Sequence, residues 1–188
     1  MTKAELRKMY KKKRTELSPA VKDRLEDLML IQFQNLHLEI PDMVMTYSPI
    51  EASNEYDPVL IEEYSFFKNP ATTLVYPVID SVHGSLKAFA VKEDSFFQLN
   101  EFEIEEPING KETSPEAIGL MIVPLLTFND GGYRVGYGKG YYDKFIQHCR
   151  PEMLKIGFSF FDAEIIDDIN SFDKVMDFCI TPERIYQF

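Results

Sequence analysis

Gly119-Leu120-Met121-Ile122-Val123-Pro124 is a nearly continuous apolar run. A strand with one wet face alternates apolar and polar residues, so an unbroken run of this length is the pattern of a parallel strand buried on both faces. It leads into Arg134-Val135-Gly136-Tyr137-Gly138-Lys139-Gly140-Tyr141-Tyr142-Asp143, which stands at the start of a helix expected from Tyr141 to about Cys149. Alternate glycines let backbone N–H groups approach an anion, the following helix offers the positive end of its dipole, and Lys139 adds a mobile full charge. Such a turn suits phosphate, and Asp143 is placed to hold magnesium against it. The alternative is a glycine-rich turn with no ligand. Two better-known signatures do not fit. A Walker A loop needs glycine where Tyr133 stands and Ser or Thr where Gly140 stands, and the dinucleotide fingerprint needs glycine where Tyr141 stands.

Outward from this centre, strands alternate with helices. Met43–Tyr47 is a short apolar strand followed by the polar loop Ser48–Glu55 and a helix over Tyr56–Phe67. Thr72–Val78 and Leu86–Val91 form a strand pair across a turn containing Gly84, and Lys155–Phe160 and Val175–Ile180 are further strands. Lys92–Glu116, acidic and holding Pro107 and Asn109-Gly110, is expected to cross the surface with little regular structure, and Ala163–Phe172 to be partly helical. The prediction is a three-layer α/β fold with a mostly parallel sheet, binding ligands at the carboxyl ends of its strands. An amino-terminal helical pair precedes it. Lys3 to about Leu17 carries Leu6, Met9, Tyr10 and Leu17 on one side and Lys3, Arg7, Lys11 and Arg14 on another. Ser18 caps a second helix that begins at Pro19 and runs to about His37.

The 188 residues, 45% hydrophobic, suffice for one substantial core, and a single domain over 1–188 is expected. The net charge of −11 argues against nucleic acid as the main partner. Seven cations nevertheless fall within the first 14 residues, against Glu5 alone, which suggests a local anion site; the competing reading is a solvated helix face. Cys149 and Cys179 lack paired spacing, His37, His83 and His148 are scattered, and the longest apolar stretch, Ile118–Phe128, is broken by Gly119 and Pro124. A cytoplasmic protein with no membrane segment is therefore expected.

Lys3-x-x-Leu6-Arg7, Asn54-Glu55 after a strand, Val123-Pro124, the run from Phe128-Asn129 through Asp143, and Phe172-Asp173-x-x-x-Asp177 together resemble the 5-formyltetrahydrofolate cyclo-ligases, or methenyltetrahydrofolate synthetases, from residue 3 to about residue 182. The resemblance implies a Rossmann-like α/β/α sandwich that uses ATP and Mg2+ to close 5-formyltetrahydrofolate to 5,10-methenyltetrahydrofolate, with small-molecule partners only and a monomeric state. It implies that Lys3 and Arg7 reach ATP phosphates from the first helix, and that Arg134, Gly136, Gly138, Lys139, Gly140, Tyr141 and Tyr142 form the nucleotide loop, with Lys139, Arg134 and Tyr142 closest to the chemistry. Glu55 matches the family's folate-binding glutamate, Tyr141 also faces the pterin, and Asp143 and Asp173 match the magnesium-binding aspartates. Tyr137 and Asn129 stand where that family commonly has Arg and Asp, so the loop is expected to lack one guanidinium. Other readings stay open: Glu55 or Asp143 as an acid favoured in a first helical turn, a non-catalytic nucleotide- or phosphate-binding regulator, or an ATP-independent sugar-phosphate isomerase or CoA-transferase on a similar sheet.

Overall fold

The computed structural model describes residues 1–188, and the run that opens the sequence argument lies at the middle of its sheet. In chain order the elements are α1 (Lys3–Thr15), α2 (Pro19–Asn35), β1 (Met43–Met45), α3 (Val59–Lys68), β2 (Thr73–Asp80), β3 (Ser85–Ala90), β4 (Phe97–Leu99), β5 (Glu105–Pro107), β6 (Lys111–Thr113), β7 (Leu120–Val123), β8 (Thr127–Phe128), β9 (Arg134–Val135), α4 (Tyr141–Ile146), β10 (Leu154–Phe158), β11 (Phe178–Ile180) and β12 (Ile185–Gln187). Eight strands form one sheet in the order β12-β11-β10-β7-β1-β2-β3-β6. The pairs β11–β10, β10–β7, β7–β1 and β1–β2 are parallel, and the outer pairs β12–β11, β2–β3 and β3–β6 are antiparallel, so β12 and β3 run against the other strands.

Strand β7 is apolar at every position because both its faces are covered. Leu120 and Ile122 point into a cluster with Met29 and Phe33 of α2 and Ile61 of α3, while Met121 and Val123 point into a second cluster with Phe145 of α4, Met45 and Val75. Helices therefore pack on both sides of the sheet, as the three-layer reading requires. No helix is long and apolar enough to cross a membrane.

Several boundaries differ from the sequence reading for local reasons. Helix α3 starts at Val59 rather than Tyr56, since Pro58 disfavours helical backbone at the residue before it, and the Asp57 carboxylate instead accepts the Val59 N–H at 3.0 Å. Helix α4 stops at Ile146, well short of Cys149. Lys92–Glu116 is more ordered than expected, with β4 pairing β5 and β6 extending the main sheet beside β3. Ala163–Phe172 has no helix. The Asp173 carboxylate accepts the Asn170 N–H and Asn170 Oδ1 accepts the Phe172 N–H, a local side-chain-to-backbone pattern that competes with helix. Strand β12 and the two-residue strands β8 and β9 have no counterpart in the sequence reading.

Candidate active site

At the carboxyl ends of β1, β2 and β7 lies a cavity of about 880 Å3. Helix α1 is laid across it by its two faces. Thr2 and Glu5 form a capping box at its start, Glu5 accepting the Thr2 N–H at 2.8 Å, and Leu6 and Tyr10 bury against Leu126, Val135 and Ile166. The opposite face must then point at the cavity, and Lys3, Arg7 and Lys11 line it. Arg7 Nε donates to the Gly136 carbonyl at 2.9 Å, and the ammonium of Lys3 pairs with Asp173, while the Lys3 N–H donates to Asp168 at 2.6 Å. The basic stripe is therefore not a solvated face.

The glycine loop meets this helix from the other side. Gly138 has φ of +94° and Gly140 +69°, backbone that a side chain rarely adopts, and a Cβ on Gly138 would stand 3.1 Å from the Arg7 Cζ. Arg134 is 8% exposed; its Nη2 lies 3.2 Å from Asp143 Oδ1 and its Nη1 donates to the Lys174 carbonyl at 3.3 Å. Lys139 Nζ sits 5.8 Å from the centre of the Phe102 ring. Helix α4 spans only Tyr141–Ile146, so its dipole adds less than expected, and the positive potential comes chiefly from Lys3, Arg7, Lys11, Arg134 and Lys139. Tyr141 and Tyr142 line the cavity and also pack against the cluster around Phe145. Burial, and then the charge of Glu55, raises the Tyr142 hydroxyl, which keeps its proton.

Glu55 also lines the cavity and is 3% exposed. Its Oε2 accepts the Ile50 N–H at 2.8 Å and its Oε1 accepts the Tyr137 hydroxyl at 2.8 Å. It precedes α3 by four residues and is separated from it by Pro58, so it does not serve as a first-turn acid of that helix. Burial raises its carboxyl above the ordinary range, and the Arg14 guanidinium opposes that rise.

Asp143 and Asp173 both line the cavity, the first accepting the Lys174 N–H through Oδ1 at 3.0 Å and the second bound through Oδ2 to Lys3 and the Asn170 N–H. Each keeps one carboxylate oxygen outside any protein hydrogen bond. No three His, Cys, Asp or Glu side chains are grouped to hold a metal by themselves. Two carboxylates bordering a basic cavity, each with one oxygen free, fit magnesium, which keeps waters and shares phosphate oxygens, better than a calcium cage.

The structure thus brings together Lys3, Arg7, Glu55, Arg134, Gly136, Gly138, Lys139, Gly140, Tyr141, Tyr142, Asp143 and Asp173 around one cavity. Two positions where the chain departs from the resemblance take a definite form. The Tyr137 hydroxyl accepts from Arg14 Nη2 at 2.6 Å, and Arg14 does not itself line the cavity, so the loop carries no guanidinium of its own at this position. Asn129 does not line the cavity; its Oδ1 accepts the N–H groups of Gly131 and Tyr133 at 3.1 and 2.9 Å and shapes the turn between β8 and β9, which an aspartate would do equally. Sequence reasoning gave no task to Phe102, Glu106 or Phe172, which also line the cavity.

Comparison with known proteins agrees with this geometry. A profile of the 5-formyltetrahydrofolate cyclo-ligase family matches residues 1–182. The chain is 30% identical over 168 residues to the 5-formyltetrahydrofolate cyclo-ligase of Mycoplasma genitalium, covering 88% of this chain and 90% of that one. It is 22% identical over 182 residues to the Escherichia coli K12 protein of the same name, covering 89% of this chain and all of that one. The solution structure of Aquifex aeolicus 5,10-methenyltetrahydrofolate synthetase superposes with a TM-score of 0.79 at 25% identity, over 100% of this chain and 93% of the other. With the profile spanning nearly every residue and the cavity built from the elements it covers, the chain belongs to the 5-formyltetrahydrofolate cyclo-ligase family and is an enzyme of that type.

Proposed function

We propose that the protein couples ATP cleavage to ring closure of 5-formyltetrahydrofolate, giving 5,10-methenyltetrahydrofolate, ADP and phosphate. The observation that carries this reading is the meeting of Lys3 and Arg7 from α1 with the Gly136–Gly140 loop around one cavity that Glu55 also lines. A formamide oxygen is a poor leaving group. Moving the γ-phosphoryl group of ATP onto that oxygen makes an imidate phosphate; the neighbouring folate nitrogen then adds to the formyl carbon, the C–O bond breaks, and phosphate leaves with the oxygen. No protein nucleophile is needed, so the work of the chain is positioning and charge neutralisation.

Each cavity residue then has a task. Lys3, Arg7, Arg134 and Lys139 neutralise phosphate oxygens, and the loop amides from Gly136 to Gly140 receive them. Tyr142, kept protonated, donates a hydrogen bond, and Tyr141 bridges the two halves of the cavity. Glu55 accepts N–H groups of the pterin ring through the lone pairs its protein partners leave unused. Asp143 and Asp173 would hold a magnesium ion, which when bound supplies further charge neutralisation at the phosphates.

The test is direct. Purified protein mixed with 5-formyltetrahydrofolate, ATP and magnesium is expected to form the methenyl product, followed by its absorbance, with one ADP released per product. Asp143→Asn and Asp173→Asn are each expected to raise the magnesium concentration for half-maximal rate by about tenfold while the folate KM stays within about twofold. ATP binding without product would refute the reading in favour of a nucleotide-binding regulator. Product formed at full rate without ATP would refute the phosphoryl-transfer step.

A further inference from the structure

Beneath the cavity lies a buried charge cluster to which the phosphoryl transfer assigns no task. Arg14 is 2% exposed, sealed under the cavity one turn beyond the cations that line it. Its Nε donates to the Ser53 carbonyl at 3.0 Å, its Nη1 to the Leu125 carbonyl at 3.4 Å, and its Nη2 to the Tyr137 hydroxyl at 2.6 Å. One planar group thereby spans three segments: the loop after β1, the loop after β7, and the glycine loop. A guanidinium has no acceptor and an ionised carboxylate has no donor, so the Tyr137 proton has a single destination, Glu55 Oε1 at 2.8 Å. The geometry is locked further by Asn54, left-handed at φ of +48°, whose Nδ2 donates to the carbonyls of Arg14 and Leu17 at 2.7 and 3.1 Å.

We propose that Arg14 is a positioning residue for the folate: acting through Tyr137, it aims the Glu55 carboxylate into the cavity at the pterin. It touches neither ATP nor the reacting atoms. The proposal rests on the reading of Glu55 as the pterin acceptor. A buried ion pair is a poor source of stability, since desolvation offsets its attraction, so this arrangement is better explained by what it holds in place. The groups facing Glu55 are Arg14 and, farther off, Lys22 on the cationic side, with the phenols of Tyr47, Tyr137 and Tyr142 around them; Lys11 lies over the Tyr137 ring at 5.2 Å. Burial drives the Glu55 carboxyl upward and Arg14 is the largest influence against it, so removing the guanidinium lets the carboxyl rise further.

The experiment measures KM separately for folate and ATP, and the pH profile of kcat/KM for folate, in Arg14→Met, Arg14→Lys, Tyr137→Phe and Glu55→Gln, after circular dichroism has established folding. Arg14→Met is expected to raise the folate KM about tenfold, to leave the ATP KM within about twofold, and to move the acid limb of the profile up by about one pH unit. Arg14→Lys restores the acid limb but not the folate KM, because one ammonium cannot reach three segments. Tyr137→Phe raises the folate KM without removing a buried charge, and it decides the matter should Arg14→Met fail to fold. Parallel rises in both KM values, an unmoved acid limb in folded Arg14→Met, or an unchanged folate KM in Tyr137→Phe would overturn the proposal. Glu55→Gln separates the two levels. If it leaves the folate KM unchanged, the pterin-acceptor reading itself fails, and the proposal with it; if it raises the folate KM while the Arg14 and Tyr137 variants do not, the proposal alone fails.

Discussion

The contact between Gly138 and Arg7 offers a sharp test of how the glycine loop works. A methyl group at position 138 would lie 3.1 Å from Arg7 Cζ and 3.2 Å from its Nε, close enough to push the guanidinium off the Gly136 carbonyl it bonds at 2.9 Å. Two costs follow in Gly138→Ala. The first is backbone strain at φ of +94°, outside the left-handed well, of about 1–3 kcal/mol, which appears as a melting temperature lower by about 2–12 °C. The second falls on the ligand. Displacing one charged donor from the phosphates loses about 1.4 kcal/mol of binding, or about tenfold in Kd. Titration calorimetry with a non-hydrolysable ATP analogue and magnesium, on wild type, Gly138→Ala, Arg7→Ala and the double variant, separates the two. The tenfold loss is expected in the wild-type background and is expected to shrink to about twofold once Arg7 is gone. Gly84→Ala is the control, with φ of +59° in a turn outside the cavity lining; it is expected to lower the melting temperature and to leave nucleotide affinity within about twofold. Equal losses from Gly138→Ala with and without Arg7 would refute the idea that this glycine exists to let the guanidinium in.

Two further outcomes concern stability. Glu62 is half-buried, accepts the hydroxyls of Thr46 at 2.6 Å and Tyr76 at 3.0 Å, and desolvation raises its carboxyl above the usual value of 4.5. A raised folded-state pKa means that the folded chain holds the proton more tightly than the unfolded chain; stability then falls as pH climbs from the ordinary glutamate range through the folded pKa, and the penalty is complete above it. Glu62→Gln keeps an acceptor for both hydroxyls, so calorimetry should show a melting temperature higher by a few degrees at pH about 7.5 and no gain at pH about 4, and a gain independent of pH would contradict this account. Gly157 in β10 leaves no room for a side chain, since its Cβ would collide with Leu125 Cδ2 and stand 2.7 Å from Met176 Sδ. Gly157→Ala is expected to cost about 1–3 kcal/mol by chemical denaturation, and a neutral result would show that these side chains repack freely.

Some of this architecture can be read from the chain and some cannot, and the division follows the range of the physics involved. Leu120–Val123 announces a strand covered on both faces because burial acts on each residue where it stands, and the glycine loop announces itself because its conformation needs particular residues. Strands β8 and β9 are two residues long and β4 and β5 three, too short to carry a period, and their pairing depends on partners met only after the chain has folded. The acid- and amide-rich stretch before Asp173 suggested helix by length and spacing, yet its side chains bind neighbouring N–H groups. Arg14 belongs to the same stripe as Lys3, Arg7 and Lys11 by spacing, and nothing local says that it alone is sealed; that is decided by Ser53, Leu125 and Tyr137, which lie far along the chain.

The phosphate end of the cavity joins residues 129 positions apart in the Arg7–Gly136 contact and 170 apart in the Lys3–Asp173 pair. During translation the first helix therefore waits on the ribosome for a partner made near the finish of synthesis, and no nascent fragment lacking that late segment carries the complete set of phosphate-facing groups. Closure over such a sequence distance slows folding, because the entropy of bringing the two ends together is lost before their contacts form.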